Sequence, residues 1–196
     1  MMKKLFYILA AFTGLVATAQ ADESSVVLAG GCFWCMEKPF DKTEGVLDVT
    51  VGYTGGSAES ANYKAVSADK TNHYEAIQVK YDPDKITYAE LLKVFWPQVD
   101  PFDDKGQFCD KGTQYRAAIF HMNNQERDIA LASKAEVEKQ LAQPVVTAIL
   151  PRQPFYPAED YHQDYYKKNP LRYTFYRTRC GRDRRLQQVW GDITKH

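Results

Sequence analysis

The glycine pair Gly30-Gly31 constrains the fold most, because it separates two segments with different hydrophobic periods. Ahead of it, Ser25 to Ala29 is a short β-rich run. Behind it, Cys32 to Phe40 carries apolar residues at helical spacing, so the reading is strand, tight turn, helix. Val46 to Tyr53 is a second strand candidate, closed by the loop Gly52-Tyr53-Thr54-Gly55-Gly56, and His73 to Tyr81 alternates as a third before Asp82-Pro83. Thr87 to Trp96 reads as a helix, with Thr87 as N-cap, Glu90 as its capping-box partner and Pro97 as the stop. The β-α-β-β-α-β order through Phe120 predicts an α+β protein. The expected architecture is a two-layer sandwich with a ferredoxin-like core, a mixed or antiparallel sheet with helices packed against it.

Further along, Val99 to Gly112 is rich in Asp, Gly and Pro without a clear period and reads as a long ordered loop. Gln114 to Met122 and Val145 to Leu150 are strand candidates on either side of a long helix, Asn123 to Gln143. Ala158 to Lys168 reads as a helix that stops at Asn169-Pro170, and a basic, largely polar tail begins at Arg172. The start of the chain reads as an export signal: Lys3 and Lys4, an apolar run from Leu5 to Val16 too short to span a bilayer, and the small-residue site Ala19-Gln20-Ala21. The expectation is a signal peptide over residues 1–21 and one domain over residues 22–196. That domain is expected to be periplasmic or otherwise exported, with no stable membrane association once the signal is cleaved.

The whole chain balances 25 basic against 25 acidic residues, which gives no sign of nucleic-acid binding. All four cysteines, Cys32, Cys35, Cys109 and Cys180, lie beyond the signal. In an exported protein they permit structural disulfides or redox chemistry, and a pair three residues apart at a helix start suits redox work better than stapling distant elements. At that helix start, unpaired backbone N–H groups and the helix dipole favour the reactive thiolate form of Cys32. Taken alone, Cys32-x-x-Cys35 suggests a thioredoxin-like disulfide exchanger. A zinc module is a weaker rival, because no second Cys-x-x-Cys or His pair completes a ligand set. Cys109 reads most simply as a packed thiol.

The full set of motifs resembles the type A peptide methionine sulfoxide reductases. The resemblance rests on Gly31-Cys32-Phe33-Trp34, the loop at 52–56, Tyr63, His73-Tyr74-Glu75 and Tyr81-Asp82-Pro83. It continues through Asp100-Pro101, Gly106-Gln107-Phe108, Asp110 to Arg116, Phe155 to Glu159 and Tyr161 to Tyr165, spanning about residues 25–172. It implies an enzyme that reduces the S epimer of methionine sulfoxide, free or in proteins, with no bound cofactor or metal. Cys32 is then the nucleophile, Phe33 and Trp34 wall the substrate methyl pocket, and Glu75 protonates the sulfoxide oxygen. Tyr63 and Tyr115 hydrogen-bond that oxygen, and Asp110 supports substrate or a catalytic water.

A sulfoxide oxygen leaves poorly until protonated, so a carboxylic acid held neutral beside an incoming thiolate suits the reaction. The product on Cys32 is a sulfenic acid, which a second cysteine condenses with. Much of the family carries a resolving cysteine in the tail just after Asn-Pro, where this chain has Thr174 after Asn169-Pro170. Two candidates remain: Cys35, favoured because its spacing needs no tail movement, and Cys180. A thioredoxin-like protein is the implied electron donor.

Overall fold

The computed structural model describes residues 24–191, so the expected signal peptide lies outside the described residues. The Gly30-Gly31 reading holds: β1 (Ser24–Gly30) turns directly into α1 (Phe33–Asp41), with Cys32 as the N-cap residue. Gly31 adopts φ +79°, and a β-carbon there would fall 2.6 Å from Cβ of Gln107, so this turn has room for glycine alone. The strands β2 (Val46–Thr54) and β3 (Tyr74–Tyr81) follow, with the short α2 (Tyr63–Ser67) between them. Then comes α3 (Tyr88–Phe95), which carries the complete Thr87/Glu90 capping box.

The segment read as a loop before residue 112 contains a small two-stranded ribbon, β4 (Gly106–Gln107) and β5 (Asp110–Lys111). Then come β6 (Ala117–His121), α4 (Asn124–Leu141), β7 (Ala148–Pro151) and β8 (Phe155–Pro157). The main sheet has the order β7-β6-β1-β3-β2-β8. Its central four strands, β6-β1-β3-β2, are all antiparallel and form the ferredoxin-like core, while β7 adds to β6 in parallel and makes the sheet mixed.

Alternation along the strands separates two faces. Val26, Leu28, Val51, Tyr53, Ile77 and Val79 face the helices, burying Phe33, Met36 and Phe40 of α1 and Leu91, Leu92 and Phe95 of α3. Val27, Ala29, Ala76, Ala118 and Phe120 form a smaller cluster on the opposite face. Glu75, two residues before Ile77, therefore shares the helix face and lies under the start of α1.

Two expectations need correction. The helix read over Ala158 to Lys168 shrinks to α5 (Tyr165–Lys168), because the preceding residues bond to other elements instead of coiling. Gln163 accepts from the Val51 N–H and donates to the Val51 carbonyl, both at 2.9 Å, and Asp164 sits at φ +55°. The polar tail is in fact two helices, α6 (Pro170–Arg179) and α7 (Arg182–Trp190). Few but large side chains anchor them: Tyr173, Leu186 and Trp190 are buried, and the Trp190 indole donates to the Val99 carbonyl at 2.9 Å.

Candidate active site

The N-terminus of α1 collects the candidate residues. Cys32 and Cys35 are free thiols, buried to 5% and 1% exposure. The Cys35 N–H donates to the Cys32 carbonyl at 3.0 Å, so the first turn holds both sulfurs on one side. The two thiols are close enough to shift each other's ionisation in opposite directions. Burial, then the neighbouring Cys35, pushes the Cys32 thiol well up. The hydrogen bond from Cys32 brings Cys35 down to about 6 against its own burial, helped by Arg182 and Arg177.

Glu75 closes the site from the sheet side. Its Oε2 accepts the N–H of Phe33, an orphan donor of the helix start, at 3.2 Å. The carboxyl is 2% exposed, and desolvation pushes its pKa up to about 8 despite that bond, so it is a carboxylic acid at neutral pH. Tyr63 and Tyr115 lie within electrostatic reach of both Glu75 and Cys32, and burial holds each phenol neutral. Tyr63 is fixed by α2, its N–H donating to Glu159 Oε1 at 2.9 Å, while the other oxygen of Glu159 accepts from the Tyr53 hydroxyl.

Phe33 and Trp34 extend this cluster into an aromatic wall. Trp34 stacks on Tyr165 with centroids 3.8 Å apart and planes 8° off parallel, and Tyr176 meets it edge-on. Its indole N–H donates to Nδ1 of His162 at 3.1 Å, which assigns the remaining imidazole proton to Nε2. Burial lowers the His162 pKa and keeps the ring neutral, and it lies against Phe33 and Tyr63. A cluster of rings beside a thiol and a carboxylic acid suits a group with an apolar methyl and a basic oxygen.

Asp110 is half-buried on β5, where desolvation raises its pKa and the Tyr176 hydroxyl donates to its Oδ2. Its carboxylate lies 3.7 and 3.8 Å from the sulfurs of Cys109 and Cys180. Those two cysteines form a disulfide, with Cα atoms 4.9 Å apart across 71 residues of sequence. Cys109 is thus a cross-link and not the packed thiol expected, and Cys180 is tied to it instead of being free at the end of a tail. The bond fastens the junction of α6 and α7 to the β4–β5 ribbon and so holds Tyr176 on Asp110.

Thus Cys32, Cys35, Phe33, Trp34, Tyr63, Glu75, Asp110 and Tyr115 converge on one site, and Cys180 lies at its edge. Residue chemistry and spacing alone do not single out Tyr176, His162, Glu159 or Arg182. His162 and Glu159 stand in the motifs of the resemblance, whereas Tyr176 and Arg182 sit in the polar stretch and give no local signal.

A family profile described as peptide methionine sulfoxide reductase matches residues 24–194. The peptide methionine sulfoxide reductase MsrA of Bacillus licheniformis is 51% identical over 165 residues, covering 83% of this chain and 91% of the relative. Among solved structures, Mxr1 of Saccharomyces cerevisiae in reduced form superposes with a TM-score of 0.72 and 34% identity, covering 76% of this chain and 87% of that one. Mxr1 in complex with Trx2 superposes with a TM-score of 0.53 and 25% identity, covering 76% and 91%. With the thiol pair, the neutral carboxyl and the aromatic wall assembled on the fold of those relatives, the chain belongs to the peptide methionine sulfoxide reductase family and is an oxidoreductase that reduces methionine sulfoxide.

Proposed function

We propose that this reductase acts on the S epimer of methionine sulfoxide through Cys32, resolves the resulting sulfenic acid with Cys35, and works on exported proteins. The observation that carries the reading is the pair of buried free thiols at the start of α1, in the same turn as the Phe33 N–H that binds the Glu75 carboxyl.

Phe33 and Trp34 enclose the substrate methyl, while Tyr63 and Tyr115 donate to the sulfoxide oxygen. As that oxygen takes the proton of Glu75, the Cys32 thiol gives its own proton to the Cys35 thiolate and attacks the sulfoxide sulfur. Methionine leaves and the oxygen remains on Cys32 as a sulfenic acid. A chiral sulfur, with its methyl, oxygen and open face each met by a different wall, supports selection of one epimer. Cys35 then attacks the sulfenic sulfur, water departs, and a Cys32–Cys35 disulfide results. This choice over Cys180 is supported by the thiol contact within one helical turn and by the existing bond of Cys180 to Cys109. A thioredoxin-like dithiol regenerates the pair, a reading supported by the complex of Mxr1 with Trx2. Export is supported by the leader pattern of residues 1–21 and by the Cys109–Cys180 disulfide, a bond that persists in oxidising compartments.

Turnover with dithiothreitol and an S-sulfoxide peptide should be bell-shaped in pH. Its acid limb lies near 6, where the thiol pair loses its thiolate, and its alkaline limb near 8, where Glu75 loses its proton. Glu75→Gln should lower kcat by about 10²-fold or more and remove the alkaline limb; full activity would contradict the acid role. Cys35→Ser should release one methionine per enzyme and then stall with thioredoxin as reductant, while Cys180→Ser keeps cycling. The opposite pattern makes Cys180 the resolver. Expressed in a bacterium with its leader, the protein recovered from the periplasm should begin at Asp22, and recovery only in the cytosol with Met1 intact contradicts export.

A further inference from the structure

Arg182 opens α7 and is 1% exposed. Its guanidinium lies directly behind the turn that carries the thiols. Nη2 donates to the Gly30 carbonyl at 3.1 Å and to the Gln98 carbonyl at 2.7 Å, and also touches Sδ of Met36 at 3.1 Å. Nη1 lies 3.6 Å from where a β-carbon on Gly31 would be, and the ring of Phe108 covers the group at 4.5 Å. Five donors are thus aimed into the protein, and Nε has no acceptor.

A buried guanidinium is normally matched by a carboxylate, because a charge taken out of water into a low-dielectric interior is strongly disfavoured unless an opposite charge offsets it. Among the described residues Arg182 forms no ion pair. Asp100 takes Arg185 and Asp183 takes Arg177, while Asp110 accepts the Tyr176 hydroxyl and lies within electrostatic reach of Arg182 without pairing with it. Glu75 is held neutral by its burial. Asp110 and the dithiol pair are the negative groups left within reach of Arg182, whose charge favours the thiolate on Cys35.

We propose that Arg182 is a positioning residue for the dithiol, its buried guanidinium, held against the Gly30-Gly31 turn without an ion pair among the described residues, supplying the positive charge that makes Cys35 the attacking sulfur in the resolving step. The proposal rests on the reading of Cys35 as resolver. In that step the Cys35 sulfur bonds to the sulfenic sulfur of Cys32 and the S–O bond breaks. The departing oxygen leaves as water, taking the proton that came with Cys35. Cys35 is oxidised and the sulfenic sulfur reduced, both to the disulfide level. Arg182 touches no substrate; it acts through the charge it places behind the turn.

The test uses the full protein with Cys109–Cys180 intact and follows the pH dependence of iodoacetamide alkylation at Cys32 and Cys35 by peptide mass spectrometry. The groups facing the pair are Glu75 on β3, Asp110 on β5, Tyr63 on α2, Tyr115, and Tyr173, Tyr176 and Arg177 on α6; all stay unchanged in every variant. Arg182→Gln keeps donors for the two carbonyls and removes the charge, and Arg182→Lys keeps the charge. The Gln variant should raise the alkylation midpoint by about one pH unit or more and slow single-turnover disulfide formation about tenfold at pH 7. It should leave the methionine burst amplitude at one per enzyme, and the Lys variant should restore the midpoint. An unmoved midpoint in a folded Gln variant overturns the proposal. If that variant does not fold, an Arg182→Lys midpoint raised as far as that of an Arg182→Met variant refolded with an intact disulfide overturns it equally. Stalled recycling in Cys35→Ser, established first, keeps a failure of the resolver reading distinct from a failure of this one.

Discussion

The hydrogen bond from the Phe33 N–H to the Glu75 carboxyl is the contact on which the site depends. It ties the first turn of the thiol helix to the middle of the sheet and puts nucleophile and acid at a fixed separation. It also occupies an orphan donor of the helix that would otherwise need water in a closed site. A carboxyl that accepts one N–H yet is otherwise dry stays protonated to about pH 8, so the same burial that shapes the pocket prepares the proton. Gly31 makes the arrangement possible, since the strand must turn into the helix within two residues while Gln107 packs against the turn.

The C-terminal helices complete the site from the other side. Tyr176 reaches both Trp34 and Asp110, and Arg182 reaches back to Gly30, so α6 and α7 form a wall of the pocket. The Cys109–Cys180 bond fastens that wall to the ribbon bearing Asp110. Within this chain the four cysteines therefore divide by structure: a buried reduced pair at the chemistry, and an oxidised pair at the rim holding the wall in place.

Much of this was legible in the sequence where local chemistry and tertiary demand agree. The glycine pair, the alternation of β3 and the Thr87/Glu90 box each specify their own element, and together they order the ferredoxin-like core. Glu75 and Tyr63 were legible only through the family motifs, because a glutamate in a strand and a tyrosine near a loop have ordinary packing explanations. Other parts were hidden because they depend on distant partners. The segment before α5 has helix-compatible residues, but Gln163 and His162 make better bonds to Val51 and Trp34. The stretch from Arg172 reads only as a basic, polar tail because its apolar residues are sparse, yet Asn169-Pro170 that ends α5 also places proline at the first position of α6, where its missing N–H costs nothing. No local pattern pairs cysteines 71 residues apart or puts an arginine behind a glycine turn.

The most direct test is to give the reduced-site protein one equivalent of methionine S-sulfoxide without reductant, block free thiols at once, and map the disulfides by peptide mass spectrometry. A new Cys32–Cys35 linkage beside an unchanged Cys109–Cys180 linkage is the predicted result. A linkage of Cys32 to Cys180 or Cys109 would contradict the account, because the rim disulfide would then take part in the chemistry and would no longer serve only to hold the wall.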